Sequence, residues 1–176
     1  MQLFPILMRW WAVAAVVVSA LMLGAAHWFE SQGLPPCPLC LRQREVYWAA
    51  LAVAGPAVAW ALISRAKGTP RLAAFCLFAI FTVGVIPATF HAGGEQDWWT
   101  LPATCMGSTE SINAGDILAS LEAPATMPSC GDIAWSWLGL SMATWNALIS
   151  LVLAGLSLVA AMRPRDTQVP RLYREP

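Results

Sequence analysis

Four of the five cysteines fall into two pairs, and the spacing within each pair points to different chemistry. Cys37 and Cys40 stand three apart in Cys-Pro-Leu-Cys. A disulfide that short closes almost no chain, so it removes little loop entropy and stabilises weakly. Cys-x-x-Cys spacing suits thiol–disulfide exchange instead, because both thiols are held ready for attack and release. Cys105 and Cys130 are separated widely enough to close an ordinary structural loop. Zinc is the rival use for a close pair, but structural zinc takes four Cys or His ligands, often as two close pairs. The other cysteines are single and widely spaced, and enlisting His91 forces the geometry, so no metal is expected. Cys76 lies in Phe75-Cys76-Leu77-Phe78 without a polar neighbour and reads as a small hydrophobe.

The chain that must position these residues is too apolar for a soluble domain. Of its 176 residues, 58% are hydrophobic and only 11% charged. Its formal net charge of zero gives nucleic acid no encouragement. A bilayer core needs roughly 20 apolar residues per helix. Four blocks qualify, at about 10–28, 46–63, 72–90 and 138–162. The expectation is an all-α membrane protein: one four-transmembrane-helix bundle over residues 1–162 and a polar, Pro-containing tail over 163–176. Small residues at Ala12, Ala14 and Ala15, at Ala49, Ala50, Ala52 and Ala54, and at Ala154 and Gly155 allow close helix approach, though alanine also simply tolerates lipid. Asn146 lies within the fourth block and reads as an interhelical hydrogen-bonding group. No internal repeat or low-complexity tract is evident.

Basic residues set the orientation. Arg9, Arg65, Lys67, Arg71, Arg163, Arg165, Arg171 and Arg174 all fall on one side of this topology, which the positive-inside rule makes cytoplasmic. The segment 91–135 holds six acidic residues and no Lys or Arg, which suits the other side. Both termini are therefore expected inside, with outer loops at about 29–45 and 91–137. Trp10, Trp11, Trp28, Trp98, Trp99, Trp135 and Trp137 fall near span ends, as an interfacial belt would. Residues 1–26 compete as a signal peptide, with Gly24-Ala25-Ala26 resembling a cleavage site. The apolar run is long for that and Arg9 lies late, and cleavage would leave the cysteines outside in either case.

Both cysteine pairs thus face an oxidising compartment, where paired cysteines read as disulfides. Pro38 fits a first helical turn because it lacks a backbone N–H. A helix starting there puts Cys40 in its first turn, where unpaired N–H groups and the helix dipole favour a thiolate. Arg44 follows one turn later on the same face, placed to hold a negative sulfur or a polarised carbonyl, or simply to snorkel towards the headgroups. In the second outer loop, Ile112, Ile117, Leu118 and Leu121 form one apolar face of a short helix, capped at Ser111 or Asn113.

Cys-Pro-Leu-Cys at 37–40 with Arg44, between the first two of four spans, resembles the DsbB family of bacterial disulfide-generating inner-membrane proteins. Cys105 and Cys130 between spans three and four fit that pattern, as does Trp137-Leu138-Gly139-Leu140-Ser141-Met142 before the fourth. The resemblance covers essentially the whole chain, and its specificity lies in the combination. It implies an oxidoreductase that reoxidises a periplasmic thioredoxin-like oxidase of the DsbA type and passes two electrons to a membrane quinone, ubiquinone or menaquinone. By the same resemblance, Cys105 forms the mixed disulfide with the soluble partner and Cys130 exchanges with Cys37. Cys40 then faces the quinone, assisted by Arg44. His91, at the outer end of the third span, is a supplementary candidate for the quinone headgroup or an interfacial histidine without a role. Two other classes need the same chain: a four-span scaffold with structural disulfides, and a quinone- or lipid-binding protein without thiol turnover.

Overall fold

Four stretches too apolar to face water become long helices in the computed structural model, which describes residues 3–64, 68–105 and 128–163. A seven-residue helix α1 (Leu3–Arg9) leads into α2 (Trp11–Ser31), followed by α3 (Pro38–Ile63), α4 (Arg71–Glu95) and α5 (Met142–Met162). The last four are long and apolar enough to cross a membrane. At 21 to 26 residues they run about 31 to 39 Å, using 1.5 Å per residue. The loop helix expected around Ile112 to Leu121, the tail beyond Arg163, and Arg65 and Lys67 lie outside the described residues.

Helices α3 and α4 begin ahead of their apolar blocks or run past them. α3 starts at Pro38, capped by Cys37, and α4 continues through His91 to Glu95. Pro56 and Pro87 sit inside α3 and α4, a placement membrane helices tolerate because neighbours re-satisfy the freed carbonyls. Large apolar side chains such as Leu21, Trp48, Leu72, Ile86 and Leu151 point outward, which a lipid surround accommodates.

The core is built largely of small residues. Ala12 and Ala15, Ala50 and Ala54, and Ala154 are buried at helical spacing, whereas Ala49, Ala52 and Gly155 are exposed. Phe81 and Leu77 fill the space they leave. Gly84 meets α3 closely: a Cβ there would stand 2.7 Å from Cγ1 of Val46. Trp11 departs from the interfacial belt expected of it. It is only 2% exposed and donates from Nε1 to Ser157 Oγ of α5 at 2.8 Å. An indole buried this way needs its N–H satisfied, and a serine across the bundle supplies the acceptor. Trp28, Trp98 and Trp137 are exposed near helix ends.

Helix order sets the architecture. α3 packs between α2 and α4, and α4 packs along α5, while α2 and α5 scarcely touch. Trp11 and Ser157 join α2 to α5 at one end of the bundle, and a cavity separates the two helices towards the other. The two ends also differ. At one, Thr69 N donates to Arg9 O at 2.8 Å and the Arg71 guanidinium donates to the Arg163 carbonyl, gathering the basic residues. At the other lie the cysteine pairs. There a two-residue hairpin pairs Ser136–Trp137 (β1) with Leu140–Ser141 (β2) across Leu138 and Gly139, both at positive φ. That is the left-handed pair a tight hairpin turn requires. Ser141 then caps α5 by accepting from Thr144 N at 3.2 Å.

Candidate active site

The close cysteine pair is presented by a turn and a cap. α2 ends with Gly33 at φ +86°, which lets Leu34 N reach back to Phe29 O at 3.2 Å. Pro35 and Pro36 carry the chain to Cys37, which is extended at φ −75°, ψ 168°. Its sulfur accepts from the backbone N–H of Cys40 at 3.3 Å, so the first cysteine is the N-cap of α3 and the second lies in the first turn. All five cysteines are free thiols, and the Cys37 thiol donates to the Cys40 sulfur at 2.9 Å. Giving that bond, together with burial, pushes the Cys37 thiol up to about 12.

The distant pair comes to the same place. A 3₁₀ turn over Ala103–Cys105 delivers Cys105, and Cys130 N donates to Cys105 O at 2.8 Å. Cys37, Cys105 and Cys130 form one buried cluster, 4%, 2% and 0% exposed, closed by Leu39, Cys40 and Leu101. The Cys130 thiol packs in this cluster with Cys105 and Cys37, and burial pushes it above the ordinary thiol value. Sequence placed Cys105 on a reachable loop, but here it is covered, because the segment that carries it folds down onto the end of α4. Gly93 and Gly94 make room for this: a Cβ on either would run into Trp99 or Leu101. Trp99 stacks on Phe90 with centroids 5.7 Å apart and donates to the Phe90 carbonyl at 2.9 Å.

His91 joins this cluster. It is buried, with Nε2 at 3.8 Å from Cys37 Sγ, 3.1 Å from Cys130 O and 3.7 Å from Glu95 Oε1. Gln43 Nε2 donates to Nδ1 at 2.9 Å, which leaves the ring proton on Nε2, facing the sulfur and the carbonyl. Gln43 in turn accepts from the Asn146 amide, and Asn146 accepts from the Tyr47 hydroxyl. Tyr47 also meets Ser150 Oγ at 3.3 Å. A polar chain thus crosses the bundle from α5 through α3 to the histidine on α4. The interhelical role expected of Asn146 takes this form. The Glu95 side chain is only 5% exposed and accepts from Ser141 Oγ, tying the end of α4 to the cap of α5.

Arg44 is tied to α2. Its Nη1 donates to Glu30 Oε2 at 2.7 Å and its Nη2 to the Ala26 carbonyl at 3.2 Å, both on α2. It lies on the wall of a cavity of about 490 Å³ that also takes in Cys40, Gln43 and His91. The remaining wall is mostly apolar, from Met22, Ala25 and Phe29 of α2 and from Trp145 and Ile149 of α5. Contact between Phe29 and Trp135, centroids 5.2 Å apart, partly roofs it. A cavity of this size, apolar with a few convergent polar groups, suits a small aromatic ligand.

Gln43 and Glu95 were not singled out from sequence. Helical spacing held a signal for both: Gln43 is three residues after Cys40, and Glu95 is four after His91. From sequence, zinc lacked a second close pair of ligands, and recruiting His91 forced the geometry. The structure answers the second point only, since the ligand atoms of Cys37, Cys40 and His91 all lie within 4.8 Å of one another.

Together these features define a class of multi-pass membrane protein in which two cysteine pairs from separate loops meet at one end of a four-helix bundle. The sequence model of the family described as disulfide bond formation protein DsbB matches residues 8–160, and the chain belongs to that family. Similar proteins include disulfide bond formation protein B 2 of Pseudomonas putida, 29% identical over 96% of this chain and 99% of the relative. Disulfide bond formation protein B of Marinobacter nauticus is 29% identical over 90% of this chain and 96% of its own length. The Nitrosococcus oceani protein of the same description is 27% identical over 85% and 89%. No solved structure matches the chain. Family membership makes this a membrane oxidoreductase of disulfide bond formation.

Proposed function

We propose that the chain is a protein-dithiol:quinone oxidoreductase of the bacterial inner membrane that reoxidises a periplasmic thioredoxin-like, DsbA-type oxidase. One observation carries this reading: Cys130 shares one buried cluster with Cys105 and Cys37, while Cys40 opens onto the cavity. The order of exchange fits that arrangement. A partner thiolate attacks Cys105 of a Cys105–Cys130 disulfide and Cys130 leaves. Cys130 attacks Cys37 of a Cys37–Cys40 disulfide, and Cys40 leaves as a thiolate. The partner's second thiol releases it in oxidised form from Cys105. The freed Cys105 then attacks Cys130, which regenerates the loop disulfide and leaves Cys37 as a thiol. Two electrons now reside on Cys37 and Cys40. Because Cys105 is buried, the segment over it must lift before a partner can reach the sulfur.

The cavity residues fit a membrane quinone, ubiquinone or menaquinone. Apolar faces of α2 and α5 would flank a flat ring, and Arg44 and His91 would face its polar edge. Such a quinone supplies the two-electron acceptor. The cavity between α2 and α5, where the two helices approach little, would offer a lipid-soluble molecule lateral access. Arg44 is held in place by Glu30 and Ala26, so its charge is fixed on the wall it shares with Cys40.

Trapping tests the relay. A Cys130→Ser variant should accumulate a mixed disulfide through Cys105, and mass spectrometry identifies the partner. Purified protein given a reduced thioredoxin-like oxidase should bleach quinone absorbance. Absence of that bleaching would sink the proposal and leave the scaffold with structural disulfides.

A further inference from the structure

We propose that Cys37, Cys40 and His91, when the two cysteines are thiols, form a binding site for one zinc ion. The site is assembled from separate elements: the cap and first turn of α3 and the last turns of α4. Around tetrahedral zinc, with Zn–S about 2.3 Å and Zn–N about 2.0 Å, a sulfur and a nitrogen stand about 3.6 Å apart and two sulfurs about 3.8 Å. Cys37 Sγ and His91 Nε2 are already 3.8 Å apart. The two sulfurs, at 2.9 Å, need to separate by about 0.9 Å, and Cys40 Sγ, within 4.8 Å of the His91 ring nitrogen, needs to come to about 3.6 Å, adjustments of about 1 Å at one side chain.

Charge and surroundings favour zinc over a harder ion. Two thiolates neutralise a divalent cation and the imidazole adds no charge, so the loaded site carries none into a buried, low-dielectric place. Binding releases two thiol protons and moves no electrons. The imidazole must offer a bare Nε2 and carry its proton on Nδ1. Gln43 stands 2.9 Å from Nδ1, and rotating its amide by half a turn presents an oxygen to that proton; Asn146 follows by the same rotation. A carboxamide anchored across the bundle is thus the outer support a metal-bound histidine requires. The cavity beside Cys40 and His91 leaves the fourth position open to a water.

A disulfide offers no thiolates, so the site exists only in the reduced pair. Zinc would hold Cys37 and Cys40 as a dithiolate and withhold their electrons from the cavity. That inhibitory consequence rests on the function proposed above; the binding itself does not.

Cobalt reports on such a site because thiolate ligation gives a charge-transfer band and tetrahedral geometry gives visible bands. The full chain carrying Cys105→Ser and Cys130→Ser, which removes the other thiol pair, is reduced anaerobically in detergent, freed of reductant and titrated with Co²⁺. One equivalent should give both sets of bands, one equivalent of zinc should bleach them, and the disulfide form should give neither. His91→Ala should weaken binding by about 100-fold and Gln43→Leu by about 10-fold. No sulfur-to-cobalt band in the dithiol form overturns the site. So does an affinity and spectrum unchanged in His91→Ala. If His91→Ala fails to fold, an unchanged affinity in folded Gln43→Leu has the same force. Quinone turnover measured without metal decides the functional reading separately.

Discussion

The bond given to Cys40 and burial hold the proton on Cys37 in the reduced pair. That thiol is pushed up to about 12, above the ordinary thiol value near 8.5. An acid that keeps its proton longer when folded contributes stability that is fully present below its unfolded value and lost as pH rises through the folded one. The Cys37 contribution to stability should therefore be constant to about pH 8.5, then fall by at most about 1.4 kcal/mol per pH unit. Thermal melts from pH 7 to 10, compared with Cys37→Ser, check this; equal slopes above pH 8.5 would contradict it. Arg44→Ala removes the charge from the cavity wall together with the bonds to Glu30 and Ala26; on the proposed function it removes a charge-assisted bond to the quinone worth about 1.5–3 kcal/mol as well, so apparent quinone affinity should fall roughly 10- to 100-fold. Titrating quinone against turnover measures it, and an unaltered KM would remove Arg44 from the site. The four cysteines and Arg44 were legible because Cys-x-x-Cys and one-turn spacing are local signals. Gln43 and Glu95 were not, because local spacing does not reveal which helix faces meet.

The elements carry their own constraints. Gly84 has Val46 against it, so Gly84→Val should overpack the α3–α4 seam and cost about 1–3 kcal/mol, read as a lowered denaturation midpoint in detergent. Gly139 sits at φ +76° in the hairpin, and Gly139→Val should cost roughly 1–2 kcal/mol there while leaving the cysteine cluster intact. Thiol accessibility at Cys105 distinguishes the two variants, since only the first disturbs α4. The long helices were plain in the sequence because twenty-residue apolar runs admit little else. The hairpin was hidden, because Leu138 occupies a left-handed position where a turn signal would put asparagine or glycine. Trp11 misled for a related reason. An indole near a span end looks interfacial, and only the partner helix shows that Ser157 waits for its N–H.

At the scale of the molecule, the decisive property is that the first and last long helices scarcely touch. Ala26 lines the cavity there, so Ala26→Trp should fill it. Quinone turnover should collapse while helix content and mixed-disulfide trapping at Cys105 persist; turnover at the wild-type rate would place the acceptor elsewhere. Asn146→Leu cuts the polar chain between Tyr47 and Gln43 and should cost about 0.6–1.7 kcal/mol of bundle stability, read by denaturant titration. The order of synthesis gives the seam between α2 and α5 a further meaning. Cys37 and Cys40 emerge from the ribosome early, but one wall of their cavity belongs to α5, the last span made. A chain still being inserted therefore holds Cys37 and Cys40 without the finished cavity beside them. On the proposed function, the seam is the joint at which the oxidase becomes complete, and a half-made copy has no finished path for electrons.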